Sequence, residues 1–196
     1  MPKYHHIYIE NVKKKRINLE KKYPNSLIID VTSKANLPWR KFSPFFDHEK
    51  IPVPGMENTF GHSVEGIWQG LKIFENHGVD LNYLLKSTSN LKRTIKSFGI
   101  ITGHQFENRI IGYVDARKLI YLPAYNYILD NFLSSEVNEL CKLLEEKNIV
   151  LLDYNVNIDM LNIKQPLSHA CLIKDFIYQK LNILIVEEQN KQYSLF

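Results

Sequence analysis

The chain has no apolar run near the length of about 18 residues that a membrane-spanning helix requires. Its opening residues, MPKYHHIYIE, hold no apolar h-region, so they do not read as a secretory signal. Only two cysteines occur, Cys141 and Cys171, and neither belongs to a CxxC pair. That spacing argues against a zinc site, a disulfide framework or a thioredoxin-like motif. A cytosolic protein with reduced thiols is the expectation. There is no G-x-S-x-G, no H-E-x-x-H and no P-loop, and neither an internal repeat nor a low-complexity segment. No metal and no cofactor are expected.

What remains is ordinary globular material. Over 196 residues, 44% are hydrophobic and 23% charged, enough for one sizeable core in a single domain spanning 1–196. The net charge of +4 is partly local, in KKKR at 13–16 and EKK at 20–22. A short basic run of this kind is a solvated face. No basic stripe with interleaved aromatics follows, so nucleic acid enters only as the carrier of a modified base.

The pattern along the chain is mixed, with more helix than strand. YHHIYIEN (4–11) and SLIIDVTS (26–33) read as strands, and IVLLDYN (149–155) reads as a strong buried one. Residues 34–62 hold Pro38, Pro44, Pro52 and Pro54, which preclude a long regular element. Trp39, Phe42, Phe45, Phe46 and Phe60 make that stretch too aromatic to be disordered. An ordered loop walling a pocket is expected. Helices are expected over 63–74 with Ser63 as N-cap, from Asp80 to about Lys96, and over Val114–Tyr121. Pro123 should interrupt the last and start a new turn to Phe132. Two more follow, one capped by Ser134 or Ser135 and one over 166–181 begun by Ser168. Residues 182–188 are ambiguous. The fold class is α+β: helix-rich, compact, around a small mixed sheet.

Within HSVEGIWQGLKIF (62–74), two glycines stand in a helical pattern. Each costs about 1 kcal/mol relative to alanine. On a wheel, Val64, Ile67, Trp68, Leu71 and Phe74 form the core face, while Glu65, Gln69 and Lys72 form a narrow polar row. Gly66 and Gly70 flank that row and leave room for close approach by another helix or a flat ligand. Glu65 lies in the first turn, where the helix dipole favours its charged form. A charged carboxylate suits a base, a nucleophile or a stabiliser of developing positive charge.

The stretch SVEGIWQGLKIF, preceded by FSPFF at 42–46, resembles the signature region of the NADAR family, over about Phe42 to Phe74. That family has an aromatic turn, then a Ser/Thr-Val-Glu-His helix start with Gln and Lys beyond it. Here the turn is Phe42-Ser43-Pro44-Phe45, and Ser63, Val64, Glu65, Gln69 and Lys72 follow. Gly66 stands where the family has His, and Pro44 where its turn has Asn. The resemblance implies a helix-rich fold and an N-glycosidase acting on riboflavin-pathway intermediates or ADP-ribosylated bases, with Glu65 in a nucleotide-sugar pocket.

Further candidates come from local chemistry. Asp153 ends the strongest strand, where α/β proteins often bind ligands. It is the expected partner carboxylate for Glu65, orienting water or sugar hydroxyls. Asp153, Asn155, Asn157 and Asp159 space like part of a calcium loop, but the required glycine and closing Glu are missing. Ser168 and His169 open a helix whose backbone N–H groups suit a phosphate. Arg117 suits a bidentate clamp, Trp39 and Arg40 suit stacking on a base, and Phe45 and Trp68 suit its pocket. Gln69 and Lys72 would hold ribose or phosphate. Cys141 and Cys171 lie on apolar faces as inert core thiols. The expected activity is hydrolysis of the N-glycosidic bond of a nucleotide, ADP-ribose-type molecule or base adduct. The rival is a binding protein that sequesters such a molecule uncleaved, and a third reading is a module whose glycine groove docks a partner helix.

Overall fold

The computed structural model describes residues 4–86 and 91–193, with side chains to residue 182. The first half of the chain carries β1 (Ile7–Asn11), α1 (Arg16–Lys22), β2 (Leu27–Asp30), β3 (Ile51–Pro52), β4 (Phe60–Gly61), α2 (Val64–Gly70) and β5 (Lys72–Phe74). The second half carries α3 (Ile95–Phe98), β6 (Ile101–Phe106), β7 (Arg109–Ile111), α4 (Tyr113–Ala116), α5 (Leu122–Asn131), α6 (Ser134–Glu146), β8 (Ile149–Asp153) and α7 (His169–Tyr193). Short 3-10 turns form at Trp39–Phe42 and Leu81–Leu85, and a π-helical turn joins α4 to α5 over Arg117–Tyr121.

The class is α+β. Strand directions separate into three small sheets instead of mixing in one. β1, β8 and β2 form a parallel sheet with β8 in the middle. β5, β6 and β7 form an antiparallel sheet, and β3 pairs with β4. β8 is central because its apolar run can be buried on both faces, as parallel strands require. A continuous core joins Ile29 and Leu151 of the parallel sheet to Ile67 of α2, Ile128 of α5, Leu140 of α6 and Ile173 of α7.

Several sequence expectations change. The helix begun at Ser63 ends at Gly70, and Lys72 already belongs to β5, paired with His104 of β6. Antiparallel pairing with β6 captures the backbone that helical periodicity would have continued. The predicted helix from Asp80 is a 3-10 turn, Leu81–Leu85, with Asp80 capping it at Asn82 N. Part of that predicted span, 87–90, lies outside the described residues. Pro123 does not interrupt its helix. It lacks an N–H and would crowd the carbonyl of Leu119, and the wider π turn just upstream accommodates it. Leu133, not a serine, occupies the N-cap of α6, with no side-chain cap bond. α7 runs on through the ambiguous 182–188.

The two glycines of α2 face the 81–86 segment. A Cβ on Gly66 would stand 2.7 Å from Tyr83 O and 3.0 Å from Lys86 O. At Gly70 the nearest neighbour is the movable Leu84 Cδ2 at 3.2 Å. Their absent side chains therefore admit this chain's own backbone, which corrects their assignment as substrate-binding residues. Gly66→Ala is expected to destabilise the fold by about 1–3 kcal/mol, because fixed carbonyls must move. Gly70→Ala should be near neutral, since about 1 kcal/mol of helix propensity offsets a soft contact. Urea denaturation of both variants distinguishes the sites.

Candidate functional site

The carboxyl ends of β2 and β8 open onto a cleft of about 300 Å³, lined also by α2, the 43–45 turn and the start of α7. The structure brings together Phe45, Glu65, Trp68, Gln69, Lys72, Arg117, Asp153 and His169 around it. Trp39 and Arg40 do not line it. Trp39 packs on the core with its ring stacked 6.2 Å from Phe42, and Arg40 is exposed on the same short turn. Their proposed stacking on a base is corrected accordingly.

Glu65 is placed by two local bonds. Ser63 caps α2 by accepting from Gly66 N at 3.0 Å, and Glu65 N donates to Pro44 O at 2.9 Å. The polar row predicted on the wheel is a hydrogen-bonded chain. Gln69 Nε2 donates to Glu65 Oε1 at 2.8 Å, and Lys72 Nζ donates to Gln69 Oε1 at 2.9 Å. The backbone N–H of Arg93 donates to the same Gln69 oxygen at 3.1 Å. With two donors on its carbonyl, the Gln69 amide has one orientation, nitrogen toward Glu65. The other Glu65 oxygen, Oε2, has no partner among the described residues. Burial pulls the Lys72 ammonium down to about 8, partly opposed by the Glu65 charge.

The aromatic wall centres on Trp68. Tyr113 and Tyr121 meet it edge-on, with centroids at 5.3 Å and 5.7 Å. His104 lies behind it at 4.0 Å, buried, both ring nitrogens without hydrogen-bond partners among the described residues. Burial, with Lys72 nearby, lowers this ring to about 3, so it stays neutral.

Asp153 differs from expectation. Its Oδ2 accepts from Ser168 Oγ at 2.7 Å, from His169 Nδ1 at 3.0 Å and from Ala170 N at 3.4 Å, while Oδ1 accepts from Tyr154 N at 2.6 Å. It supports the start of α7 instead of offering a second working carboxylate. Of the helix-start N–H groups expected to hold a phosphate, Ala170 N is met by the chain's own acid and Ser168 N by Asn157 O, and the Ser168 hydroxyl is committed to Asp153. His169 Nε2 lies 2.8 Å from Val31 O. Both neighbours of the ring accept, so only the doubly protonated imidazolium satisfies both. Burial opposes that charge, but Asp153 overcomes it and raises the His169 pKa. Burial likewise opposes ionisation of Asp153, and His169 outweighs it, so the carboxyl is held below its usual range.

Arg117 is also committed. Its guanidinium donates to the carbonyls of Met160 at 2.7 Å, Asn162 at 3.1 Å and Gln165 at 2.6 Å, fastening the 159–165 excursion instead of waiting for a phosphate. No carboxylate neutralises it among the described residues, so its charge still reaches the cleft. Lys72, Lys92, Arg117 and His169 outnumber Glu65 and Asp153 by two.

Tyr113, Tyr121 and Lys92 line the cleft and were missed by sequence reading. Tyr113, Arg117 and Tyr121 repeat at four-residue spacing, so a helical face of Tyr-Arg-Tyr was available as a signal. The two cysteines are buried, and burial raises both thiols, Cys171 to about 11, consistent with unreactive core positions.

Fold and site define an α+β protein with a cation-rich, aromatic-walled cleft at the carboxyl ends of a parallel sheet. The chain belongs to the family of unknown function DUF6939, whose model matches residues 11–173. No curated protein matches it. Among the described residues, no group of acidic, His or Cys side chains is arranged to hold a metal, and no helix is long and apolar enough to cross a membrane.

The Asp153–His169 pair sets a pH dependence. The raised His169 pKa stabilises the fold below the ordinary value of 6.5, and this is lost as pH rises through the raised value. The lowered Asp153 pKa stabilises above 3.8, and this is lost as pH falls through the lowered value. Thermal stability should therefore decline on the alkaline side of 6.5. Asp153→Asn should cost about 3 kcal/mol near neutrality, by stranding a buried cation, and should flatten the alkaline decline. Melting curves across pH test both.

Proposed function

We propose that this chain is an N-glycosidase that hydrolyses the N-glycosidic bond of a nucleotide, an ADP-ribose-type small molecule or a base adduct. The observation that carries the reading is Glu65: a cleft carboxylate with one oxygen held by Gln69 and the other without a partner among the described residues, beside an aromatic wall. The resemblance of residues 42–74 to the NADAR signature supports the same residue.

In this reading the C1′–N bond breaks with its electron pair leaving on the base nitrogen. Water supplies a hydroxyl to C1′, and its proton goes to the base, or to solvent where the base leaves neutral as nicotinamide does, so no cofactor is required. Positive charge develops on the sugar ring, and Glu65 stabilises it and orients the water. Fixed charge of this kind is usually the largest catalytic term. Gln69 holds Glu65 in place. Lys72 and Lys92 attract the phosphate, and Phe45 and Trp68 flank the base. Asp153 acts at one remove, by holding His169 against the cleft. The setting is cytosolic.

Incubation with nicotinamide and ADP-ribose nucleotides, followed by mass spectrometry, should show base release. Glu65→Gln should reduce turnover by about 100-fold or more, with ligand affinity changed only a few-fold. Unchanged turnover in that variant would overturn the mechanism. Tight binding by the wild type with full ligand recovery would instead identify a sequestering protein.

A further inference from the structure

Tyr121 and Tyr125 are four residues apart on the π turn and α5, with parallel rings 6.2 Å apart at 7°. The two hydroxyls have different fates. Tyr125 donates to Phe42 O at 2.7 Å, fully inside the core. Tyr121 lines the cleft, and its hydroxyl makes no hydrogen bond to any described residue.

The nearest acidic groups do not accept from it. The Asp153 oxygens are met by Ser168, His169, Ala170 and Tyr154, and Gln69 meets Glu65 Oε1. The ring itself is fixed, edge-on to Trp68 and stacked on Tyr125. A rigid phenol held at a cleft wall, its O–H met by no described residue, is free to donate to a ligand, and a few such fixed polar groups set ligand orientation in a largely apolar cleft. We infer that Tyr121 is a ligand-contacting residue whose hydroxyl donates a hydrogen bond to an oxygen of the bound sugar.

This assignment rests on the nucleotide-sugar reading of the cleft. It adds a specificity residue on a different element from Glu65. Burial, followed by the charges of Glu65 and Asp153, raises the phenol well above its ordinary range, so it stays protonated and acts as a donor at any physiological pH. Purely apolar ligands leave the hydroxyl unmatched. Ribosides, whose ring oxygen and hydroxyls supply acceptors, match it.

The test compares Tyr121→Phe with wild type by calorimetric titration of ADP-ribose and of adenosine 5′-monophosphate as ribose and 2′-deoxyribose forms. The melting temperature of free Tyr121→Phe should equal that of wild type, since no bond within the protein is lost. Its affinity for the riboside that wild type binds should fall about five- to tenfold, the worth of one hydrogen bond. If the sugar 2′-hydroxyl is the acceptor, the deoxy ligand should bind both proteins equally; an equal loss for both forms places the acceptor on the ring oxygen or another hydroxyl. Tyr125→Phe is the control: it should lower the melting temperature and leave affinity unchanged. Wild-type affinity in Tyr121→Phe would overturn the inference alone. Failure of wild type to bind any of these ligands would overturn the nucleotide-sugar reading and this inference with it.

Discussion

One buried imidazolium fastens the parallel sheet to the helix that closes it. His169 donates at one nitrogen to the carboxylate ending β8 and at the other to the carbonyl following β2. Three segments distant in sequence meet at that ring, and the cleft opens directly above them. Because both neighbours of the ring accept, a neutral ring of fixed tautomer would satisfy only one of them. The charge is therefore a structural requirement, and the position of the cleft floor follows from it.

A second node organises the opposite wall. Gln69 receives two donors on one oxygen and passes a single donor to Glu65. Arg93 clamps the surrounding backbone, donating also to Lys72 O at 2.7 Å and Gly78 O at 2.9 Å. The amide thus converts the fixed geometry of a helix–strand junction into a fixed carboxylate. The end of the helix places Lys72 on β5, where it is buried and still reaches the Gln69 that holds Glu65.

Much of this was legible in the sequence. The cap at Ser63, the core face of Val64, Ile67, Trp68 and Leu71, and the polar row of Glu65, Gln69 and Lys72 follow from spacing alone. So does the strand ending at Asp153. What escaped was set by long-range partners. The end of α2 is decided by pairing of Lys72 with His104, which periodicity does not carry. The use of Arg117 depends on carbonyls more than 40 residues away. The glycines signalled close approach correctly, but a sequence does not say whether ligand, partner or own backbone fills the space. Asp153 read as an active carboxylate because its donors lie across the fold or in adjacent backbone.

The strand order β1–β8–β2 has a consequence for how the chain is made. The two N-terminal strands do not pair with each other; each waits for the strand that lies between them. On a ribosome adding about 5–20 residues per second, Leu27–Asp30 is synthesised roughly 6–24 s before Ile149 is joined to the chain. During that interval neither strand has the partner that covers its edge in the folded chain.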